Sequence, residues 1–322
     1  MSAYDQIIQR SDTGALMPEE VSREIIKNVP ETGSVVLKLA RRLPNMSRAQ
    51  QRMPVLSTLP VAYFVNEAPQ GDGSAVKKTT EVAWANKYLD VAEIAVIVPI
   101  PENVLDDADY DIWGEISPLI SEAIGKTADA AILYGTNAPT AWPDDIVTAA
   151  TAAGNVVQFG SGADLYDDLL GENGLVTKIE EEGFFLTGAI GAMSMRAKFR
   201  AVRGEDGTPI FTATPQEKTR YQFDGAPVEF PRTGVIAPAT ALLIAGDFQQ
   251  LVYSIRQDIT YKMLTEAVIT DSSKAIVYNL PQEDMVAMRV TFRMAWQVPN
   301  PINYLQPTEG SRYPFALLTP AP

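Results

Sequence analysis

The sequence predicts an α+β fold in which a long β-hairpin and a long helix precede a mixed domain of short helices and strands. The first observation is a strand pattern at residues 286–298, where the apolar side chains share one parity. The second is a helical pattern at residues 111–134, with apolar side chains three and four positions apart. The third is an alternation of short helical and strand patterns across residues 144–280. A chain of 322 residues can form two or three subdomains of about 100 to 150 residues each.

Composition narrows the classes of protein to which the chain can belong. Apolar residues make up 46% of it and charged residues 20%, so most of the chain is expected to fold. It contains no cysteine and no histidine, which excludes thiolate and imidazole metal sites, cysteine and histidine nucleophiles and Ser-His-Asp triads. We therefore expect no catalytic residue, no cofactor, no metal site and no enzyme activity.

Charge and hydropathy indicate the compartment and the partners. The net charge of −14 repels a polyanion, so we expect only weak, non-specific contact with double-stranded DNA. Residues 1–10 lack the pattern of a signal peptide, and no run approaches the ~18 apolar residues of a membrane span. The lack of cysteine gives no sign of an oxidising compartment. We predict a soluble protein that assembles in the cytoplasm without a membrane partner.

The chain begins with a segment of little periodicity. Residues 1–17 are predicted to form an extended arm, and a short helix is predicted at residues 18–28. Pro18 suits the first helical position, and Glu19 and Glu20 suit the positive end of the helix dipole.

A long β-hairpin is predicted next, from strand patterns at residues 53–65 and 80–98 that flank a tip of turn formers at residues 69–79. The second strand keeps one apolar parity, and at ~3.3 Å per residue it would reach about 60 Å. An isolated two-stranded ribbon is marginal in water, so we expect its outer part to lie against another copy of the chain. The apolar residues of that parity are Val82, Trp84, Tyr88, Ala92, Ile94, Val96 and Val98.

The longest helix is predicted at residues 111–134, and it contains Pro118. Proline removes a hydrogen bond from a helix interior. Either the helix bends there, or it begins with Ser117 as its N-cap and Pro118 in its first turn. We favour one long helix with a bend, ended by the turn formers at residues 135–143.

Shorter elements fill the second half of the chain. They are helices at residues 164–170, 175–182 and 193–202 and strands at residues 240–247 and 251–260. The strand at residues 286–298 places its polar side chains opposite the apolar ones, as a half-buried strand does. The proline-rich tail from residue 299 is predicted to be extended.

The order of these elements is similar to that of the Hong Kong 97-type phage capsid family: arm, short helix, long hairpin, long helix, central α+β domain and return strand. The stretches that resemble family segments span most of residues 15–300. They are PEEVSREII at 18–26, AYFVNEA at 62–68, VPIPENVLDD at 98–107, ADAAILYG at 128–135, GTPIF at 207–211, AGDF at 245–248 and VAMRV at 286–290.

This resemblance implies a domain organisation. The parts are the N-terminal arm and short helix (1–49), the extended loop (50–98), the peripheral domain with its spine helix (99–139), the axial domain (140–284), and the peripheral return strand with the C-terminal tail (285–322).

The resemblance also implies a function. The chain would be a major capsid protein, located in the virion, whose hexamers and pentamers form an icosahedral shell around the phage double-stranded DNA. A portal protein would occupy one vertex. The sequence has no room for a scaffolding segment before the arm helix, so a scaffolding protein would be separate, and a decoration protein is a further possible partner.

Contacts between copies are expected from the extended loop and from the return strand. The candidate contact residues are Gln70, Asp72, Lys77, Lys78, Trp84, Arg289 and Arg293. Some members of the family cross-link a loop lysine to a neighbour's asparagine, with a glutamate as the base. The corresponding candidates here are Lys77, Lys78, Asn300, Asn303 and Glu309. The alternative, which we favour because nothing fixes the spacing, is that both lysines are solvated or pair with a neighbour's carboxylates.

Other polar patterns allow two interpretations each. Carboxylate runs at residues 106–109, 144–145, 167–168 and 180–182 could form metal or glycosidase sites, but we favour solvated helix faces that complement the dipole. Trp84 and Trp296 are interpreted as packing anchors rather than platforms for bases. The basic residues Arg196, Lys198, Arg200 and Arg203 could face DNA, an acidic surface of a neighbour or only solvent.

Two further functions stay open beside the capsid interpretation. An encapsulin-like nanocompartment would use the same fold to enclose protein cargo instead of DNA. A hydrolase that relies on carboxylates would require a compact monomer that is stable in dilute solution.

Overall fold

The computed structural model describes residues 33–62, 79–107, 111–203 and 222–321. None of its described helices is long and apolar enough to cross a membrane. The helices are α1 (Val35–Leu39), α2 (Glu102–Asp106), α3 (Ile112–Tyr134), α4 (Ile146–Ala153), α5 (Leu165–Leu170), α6 (Leu175–Glu181) and α7 (Met195–Ala201), with a 3₁₀ turn at Glu309–Ser311. The strands are β1 (Arg41–Arg42), β2 (Gln50–Thr58), β3 (Ala83–Asp90), β4 (Ala92–Pro101), β5 (Val156–Gln158), β6 (Gly188–Gly191), β7 (Gln222–Phe223), β8 (Ala226–Glu229), β9 (Leu243–Gly246), β10 (Val252–Leu264), β11 (Val268–Thr270), β12 (Ile276–Asn279), β13 (Met285–Gln297) and β14 (Phe315–Thr319).

Two larger sheets organise the fold. The long-strand sheet has the order β1-β10-β13-β4, with β10, β13 and β4 antiparallel and β1 parallel to β10. The short-strand sheet has the order β5-β14-β9-β6-β8-β7. Two ribbons, β2–β3 and β11–β12, pair only with themselves within the described ranges. Side chains from both sheets and from α3 contribute to one main hydrophobic core.

Strand β13 lies between β10 and β4 and confirms the strand predicted at residues 286–298. Val290 pairs with Val96 of β4 and with Tyr261 of β10, and its side chain is fully buried. Met294 is buried on the same parity, whereas Arg289 is exposed on the other. The apolar parity is therefore buried as predicted, but the other face is only partly exposed, because Ala287, Thr291 and Ala295 on it are buried too.

Helix α3 confirms the predicted long helix. Asp111 is its N-cap and accepts a hydrogen bond from the Gly114 N–H at 3.1 Å. The helix continues through Pro118 and ends at Gly135, whose φ of 64° is left-handed. The alternative start at Ser117 is therefore wrong. The buried residues of α3 are Ile120, Ile124, Gly125, Ala128, Asp129, Ala131, Ile132 and Leu133.

The hairpin differs from its prediction. The expected single strand at residues 80–98 is two strands: β3 pairs with β2, whereas β4 pairs with β13. The chain changes partner at Val91, and the eight residues of β3 span only about 26 Å at ~3.3 Å per residue. The same apolar parity continues through both strands, so periodicity could not show that they belong to different sheets. The predicted tip at residues 69–79 lies almost wholly outside the described residues.

The two ends of the predicted axial domain also differ from expectation. Strand β10 falls in residues 140–284, yet it pairs with β13 in the long-strand sheet. Strand β14 belongs to the tail predicted to be extended and peripheral, yet it lies between β5 and β9 in the short-strand sheet. The chain thus crosses from one sheet to the other twice after residue 250.

Several of the remaining predicted helices and strands are confirmed, and the structure also contains elements that were not predicted. Helices α5, α6 and α7 and strand β9 confirm the elements predicted at residues 164–170, 175–182, 193–202 and 240–247. Elements α1, α4, β5 and β6 were not predicted. The predicted arm and arm helix at residues 1–28 lie outside the described residues.

Candidate assembly surfaces

The β2–β3 hairpin is attached to the body through a small core and two polar contacts. Its core residue Leu89 is fully buried and belongs to a cluster with Met46 and Ala295. The Trp142 Nε1–H donates to the main-chain oxygen of Asp90 at 3.0 Å. The Gln297 side-chain amide donates to the main-chain oxygen of Tyr88 at 3.1 Å. The inner end of the hairpin is thus fixed to β13 and to the loop after α3.

A second attachment joins the hairpin to the C-terminal segment. The Lys87 ammonium lies 2.6 Å from Glu309 Oε1. The Tyr304 hydroxyl donates to the main-chain oxygen of Pro60 at 2.9 Å. Residues 304–309 therefore contact strand β3 and the segment that follows β2.

The hairpin carries apolar side chains that its own subunit does not cover. Trp84 is 66% exposed, and it lies opposite Leu56 across the ribbon. Tyr88, on the same parity, is also exposed. An exposed tryptophan on a ribbon without a third strand among the described residues is typical of an element that packs against another molecule. Trp84 stays a candidate contact residue.

A second apolar strip, the outer-end strip, lies at the outer end of β2, because residues 60 and 61 follow Thr58 on the side of the hairpin tip. Tyr304 is 72% exposed and contacts Pro60, next to the exposed Val61. Its neighbour Leu305 is exposed and packs next to Gly183, two residues before the exposed Phe185. Three distant parts of the sequence thus form one apolar strip, which periodicity within a single element could not reveal.

A third apolar surface lies at the far end of the long-strand sheet. There β10 continues beyond the predicted strand, and the β11–β12 ribbon joins it to β13. The exposed apolar side chains of this end are Tyr261, Met263, Val268, Ile276, Val277 and Tyr278. No sequence pattern predicted these residues as a surface, although the alternation in Val252–Leu264 extends past residue 260.

The two arginines proposed as contact residues have different surroundings. The Arg293 guanidinium lies 2.5 Å from Glu93 Oε2 on the neighbouring strand β4, so it is paired within the subunit. Arg289 is exposed and has no ion pair within the described part of the chain. Gln70, Asp72, Lys77 and Lys78 lie outside the described residues.

The cross-link candidates in the C-terminal segment have structural partners in their own subunit. The Asn300 amide donates to the Arg312 main-chain oxygen at 2.6 Å and accepts from Arg312 Nε at 3.1 Å. The Asn303 amide donates to the Glu182 main-chain oxygen at 2.7 Å. Hydrogen bonding and charge from Lys87 lower the pKa of Glu309, which opposes a role as a general base. Isopeptide formation therefore gains no support from this geometry.

Two carboxylates expected on solvated faces are buried instead. Asp168 accepts hydrogen bonds from the N–H groups of Gly160 and Gly162, both at 2.7 Å, and so closes the loop before α5. Glu182 accepts from Asn155 Nδ2 at 2.9 Å and from the Tyr313 N–H at 2.6 Å. Burial raises the pKa of Glu182. In the described part of the chain, acidic side chains form no group suited to a metal ion.

Contacts within the subunit account for part of the tryptophan pattern and part of the basic cluster on α7. Trp296 is buried and meets the Trp142 ring edge-on, with centroids 6.2 Å apart, so it is a packing anchor inside the subunit. On α7, the Lys198 ammonium lies 3.4 Å from the centre of the Phe159 ring. Arg200 and Arg203 are exposed, and the three interpretations of this basic cluster stay open.

Comparison with known proteins decides the family. The sequence model of the phage capsid family matches residues 13–306 of the chain. The chain belongs to the phage capsid family. A solved structure from Microbacterium phage Oxtober96 is 35% identical, with 98% of this chain and 100% of that chain covered and a TM-score of 0.83. One from Mycobacterium phage Cain is 31% identical, with coverages of 98% and 99% and a TM-score of 0.81.

A curated relative carries a functional description. The major capsid protein of Staphylococcus phage 80alpha is 24% identical over 297 residues, which cover 91% of this chain and 85% of that protein. Together the matches confirm the predicted Hong Kong 97-type capsid fold and the predicted membership of the capsid family. They do not favour the encapsulin-like alternative.

Membership of this family suggests a role for the three apolar surfaces. A capsid protein acts through contacts with copies of itself, so its functional site is its set of assembly surfaces rather than a pocket. The exposed side chains of the hairpin, of the outer-end strip and of the β11–β12 end are the described groups that best suit this role.

Proposed function

We propose that the protein is a major capsid protein whose hexamers and pentamers form an icosahedral shell around the double-stranded DNA of a tailed phage. The observation that carries the proposal is Trp84, which is 66% exposed on a two-stranded ribbon that pairs with no third strand among the described residues. Such a ribbon gains more by packing on a neighbour than by staying in water.

The free energy of assembly is the sum of many repeated contacts between subunits. Burying one large apolar side chain contributes about 2 kcal/mol, and a specific contact of ~800 Å² per partner buries several of them. Each subunit repeats the same contacts with each neighbour, so a modest contact free energy suffices for a closed shell. The exposed groups at Tyr304 and Leu305 can extend the hairpin contact without a new element.

The role proposed is structural rather than enzymatic. The buried carboxylates Asp168 and Glu182 hold loops and strand ends, and the candidate base Glu309 pairs with Lys87. Within the shell we propose a peripheral part built on the long-strand sheet and α3, and an axial part built on the short-strand sheet. Strand β10 would then belong to the peripheral part, although it falls within the predicted axial residues 140–284. Strand β14 would belong to the axial part, although it falls within the predicted peripheral residues 285–322.

The partners proposed beyond the protein itself follow from the family and from charge. With a net charge of −14, the shell wall would contact packaged DNA only weakly, so that the duplex can move past it during packaging. A portal protein at one vertex, a separate scaffolding protein and a decoration protein complete the proposal, with assembly in the host cytoplasm and the virion as the final location.

The test is assembly of the purified protein, followed by size-exclusion chromatography and electron microscopy. Wild-type protein should form closed shells, and particles from infected cells should contain DNA rather than enclosed protein. Trp84→Ser should stay largely unassembled with an unchanged melting temperature, because the side chain is exposed in the monomer. Trp84→Phe, which keeps an aromatic ring, is the matched control and should assemble. A wild-type protein that stays a stable monomer of about 35.1 kDa under all assembly conditions would contradict the proposal.

A further inference from the structure

A phenyl ring projects from the turn between α6 and β6. Phe185 is 76% exposed, the largest exposed fraction among the large apolar side chains that the structure describes. The turn before it is fixed by hydrogen bonds. The N–H of Gly183, whose φ is 82°, donates to the Glu180 main-chain oxygen at 2.9 Å. The N–H of the buried Phe184 donates to the Ile179 main-chain oxygen at 3.1 Å, so the end of α6 holds the Phe185 ring in solvent.

Carboxylates beside this ring make its surroundings acidic. Glu180 and Glu181, at the end of α6, are both exposed. The Lys178 ammonium lies 3.9 Å from Glu181, and Glu180 has no ion pair among the described residues. We call Phe185, Glu180 and Glu181 the aromatic knob. A partner suited to the knob offers an apolar recess with cations at its edge.

A cleft with these properties lies between α5 and α7. Its volume is about 370 Å³, whereas a cavity of about 150 Å³ is enough for a benzene molecule. It contains one carboxylate and two cations, and the carboxylate, Asp164, accepts a hydrogen bond from the Asp167 N–H at 3.0 Å. The cleft thus combines an apolar lining with a positive edge. The residues that give it this character are Phe159, Leu165, Val202, Asp164, Lys198 and Arg203.

The knob and the cleft of one subunit lie at opposite ends of the short-strand sheet. Strands β5 and β6 point the same way, because β5 is parallel to β14, and β14 and β6 are each antiparallel to β9. Phe159 follows the end of β5, where its N–H donates to the Thr319 main-chain oxygen at 2.9 Å, whereas Phe185 precedes the start of β6. The five residues of β14 between these ends span about 16 Å at ~3.3 Å per residue. The Phe185 ring therefore does not reach the cleft of its own subunit.

We propose that the cleft between α5 and α7 receives the aromatic knob of a second copy of the chain. The Phe185 ring packs among the apolar side chains of the cleft, and the carboxylates of α6 lie near its cations. Each copy gives its knob to one neighbour and receives a knob from another, and such head-to-tail contacts close into rings. This inference rests on the proposed shell function and names one contact within its hexamers and pentamers.

The proposal also selects one interpretation of the basic residues Lys198 and Arg203, which is an acidic surface of a neighbour. Packaged DNA is less suited to the cleft. Its phosphates would pair with the cations but would leave the apolar lining in contact with water. An aromatic side chain flanked by carboxylates satisfies both parts of the cleft.

Disulfide cross-linking tests the contact, because the chain has no cysteine of its own. Glu181→Cys combined with Arg203→Cys places one thiol beside the knob and one at the edge of the cleft, both at exposed positions. A disulfide requires Cα atoms within about 7 Å, so only a direct contact links two subunits. Oxidised shells should give a ladder of linked subunits on a non-reducing gel, whereas a bond within one subunit leaves a monomer band.

Two further variants make this experiment specific. Adding Phe185→Ser to the cysteine pair should reduce the linked fraction at least roughly ten-fold, although both thiols remain. Glu181→Cys with Thr127→Cys, an exposed position on α3, is the matched control and should give no ladder. Shells of the cysteine pair without a ladder would overturn the inference and would leave the basic cluster to DNA or to solvent. A ladder that persists with Phe185→Ser would overturn it as well.

Charge reversal decides the question if the cysteine pair does not assemble. Arg203→Glu should lower the yield of shells at least roughly ten-fold, and Glu180→Arg in the same chain should restore it. Arg203→Glu with Glu266→Arg has the same net charge but changes a carboxylate on the long-strand sheet side, and it should not restore the yield. Equal yields from the two double variants would overturn the inference. Failure of the wild-type protein to form shells would instead overturn the shell function itself.

Discussion

The Lys87 ammonium and the Glu309 carboxylate lie 2.6 Å apart and join the hairpin strand β3 to the C-terminal segment of the same subunit. The lysine lowers the pKa of Glu309 by hydrogen bonding and by charge. The pair is partly exposed to solvent, so its contribution to stability is small. Its importance lies in its position, because it connects two segments that both carry exposed apolar side chains.

We predict that this pair stabilises the hairpin in a pH-dependent way. A carboxyl whose pKa is lowered on folding contributes fully above its ordinary pKa of 4.5, and the contribution is lost as the pH falls through the folded pKa. Lys87→Met should lower the free energy of unfolding by about 0.5 kcal/mol at pH 7 and by less at pH 3. Thermal unfolding of the unassembled subunit at both pH values measures the difference.

Lys126→Met is the matched control for that experiment. Lys126 is exposed on α3 and has no ion pair in the part of the chain that the structure describes. Its substitution should leave the pH dependence of unfolding unchanged. An equal effect of the two substitutions would contradict a specific role of the Lys87–Glu309 pair.

The sequence predicted an element best where a pattern within that element reflects its surroundings. Strand β13 keeps apolar side chains on one parity, and Asp111 and Gly135 mark the ends of α3 with local capping signals. Strand β14 was missed because its residues Phe315, Ala316, Leu317 and Leu318 are all buried. A short apolar run covered on both faces does not alternate, so it resembles an extended apolar tail.

The assembly surfaces and the start of α1 depend on contacts between distant segments that no local pattern contains. The N–H groups of the first residues of α1 find their acceptor in Asp129, and the outer-end strip contains Val61, Phe185 and Leu305. The acidic run at residues 180–182 has two exposed members, whereas Glu182 is buried and accepts from the N–H of Tyr313, two residues before β14. Such contacts become visible only when distant segments are placed together.

A close backbone approach in the short-strand sheet yields a second stability prediction. A Cβ on Gly246 of β9 would stand 2.4 Å from the Pro314 main-chain oxygen and from the Phe315 ring. Gly246→Ala should therefore lower the free energy of unfolding by roughly 1–3 kcal/mol through overpacking. Gly310→Ala, where the new Cβ has open space, is the control and should be nearly neutral. Urea denaturation measures both, and equal stabilities would contradict the close packing of β9 on β14.

The loop between the hairpin strands gives a prediction about assembly. Deleting residues 69–79 should leave a subunit that folds, since the sequence of this segment consists mainly of turn-forming and polar residues. The deleted protein should fail to form stable shells, because the extended loop is expected to contact a neighbour. Replacing the same residues by a Gly/Ser segment of equal length separates loss of contacts from shortening of the loop. Normal shells from both variants, seen by electron microscopy, would count against the predicted loop contact.

Glu182 provides the opposite pH dependence to Glu309. Burial raises its pKa above the ordinary value of 4.5, so the folded chain holds the proton more tightly than the unfolded chain. Its contribution to stability is therefore greatest below pH 4.5 and declines as the pH rises through the folded pKa. In Glu182→Gln, the amide oxygen can still accept from Asn155 and from the Tyr313 N–H, but nothing ionises.

We therefore predict that Glu182→Gln has a melting temperature close to that of wild type at pH 4 and a higher one at pH 7. The gap should open between those values, because only the wild-type carboxylate must be desolvated as the pH rises. Glu180→Gln, an exposed neighbour in the same acidic run, should show no such divergence. A variant that is less stable than wild type at pH 7 would mean that the charged carboxylate, through its bonds to Asn155 and Tyr313, holds the end of the chain better than a neutral group does.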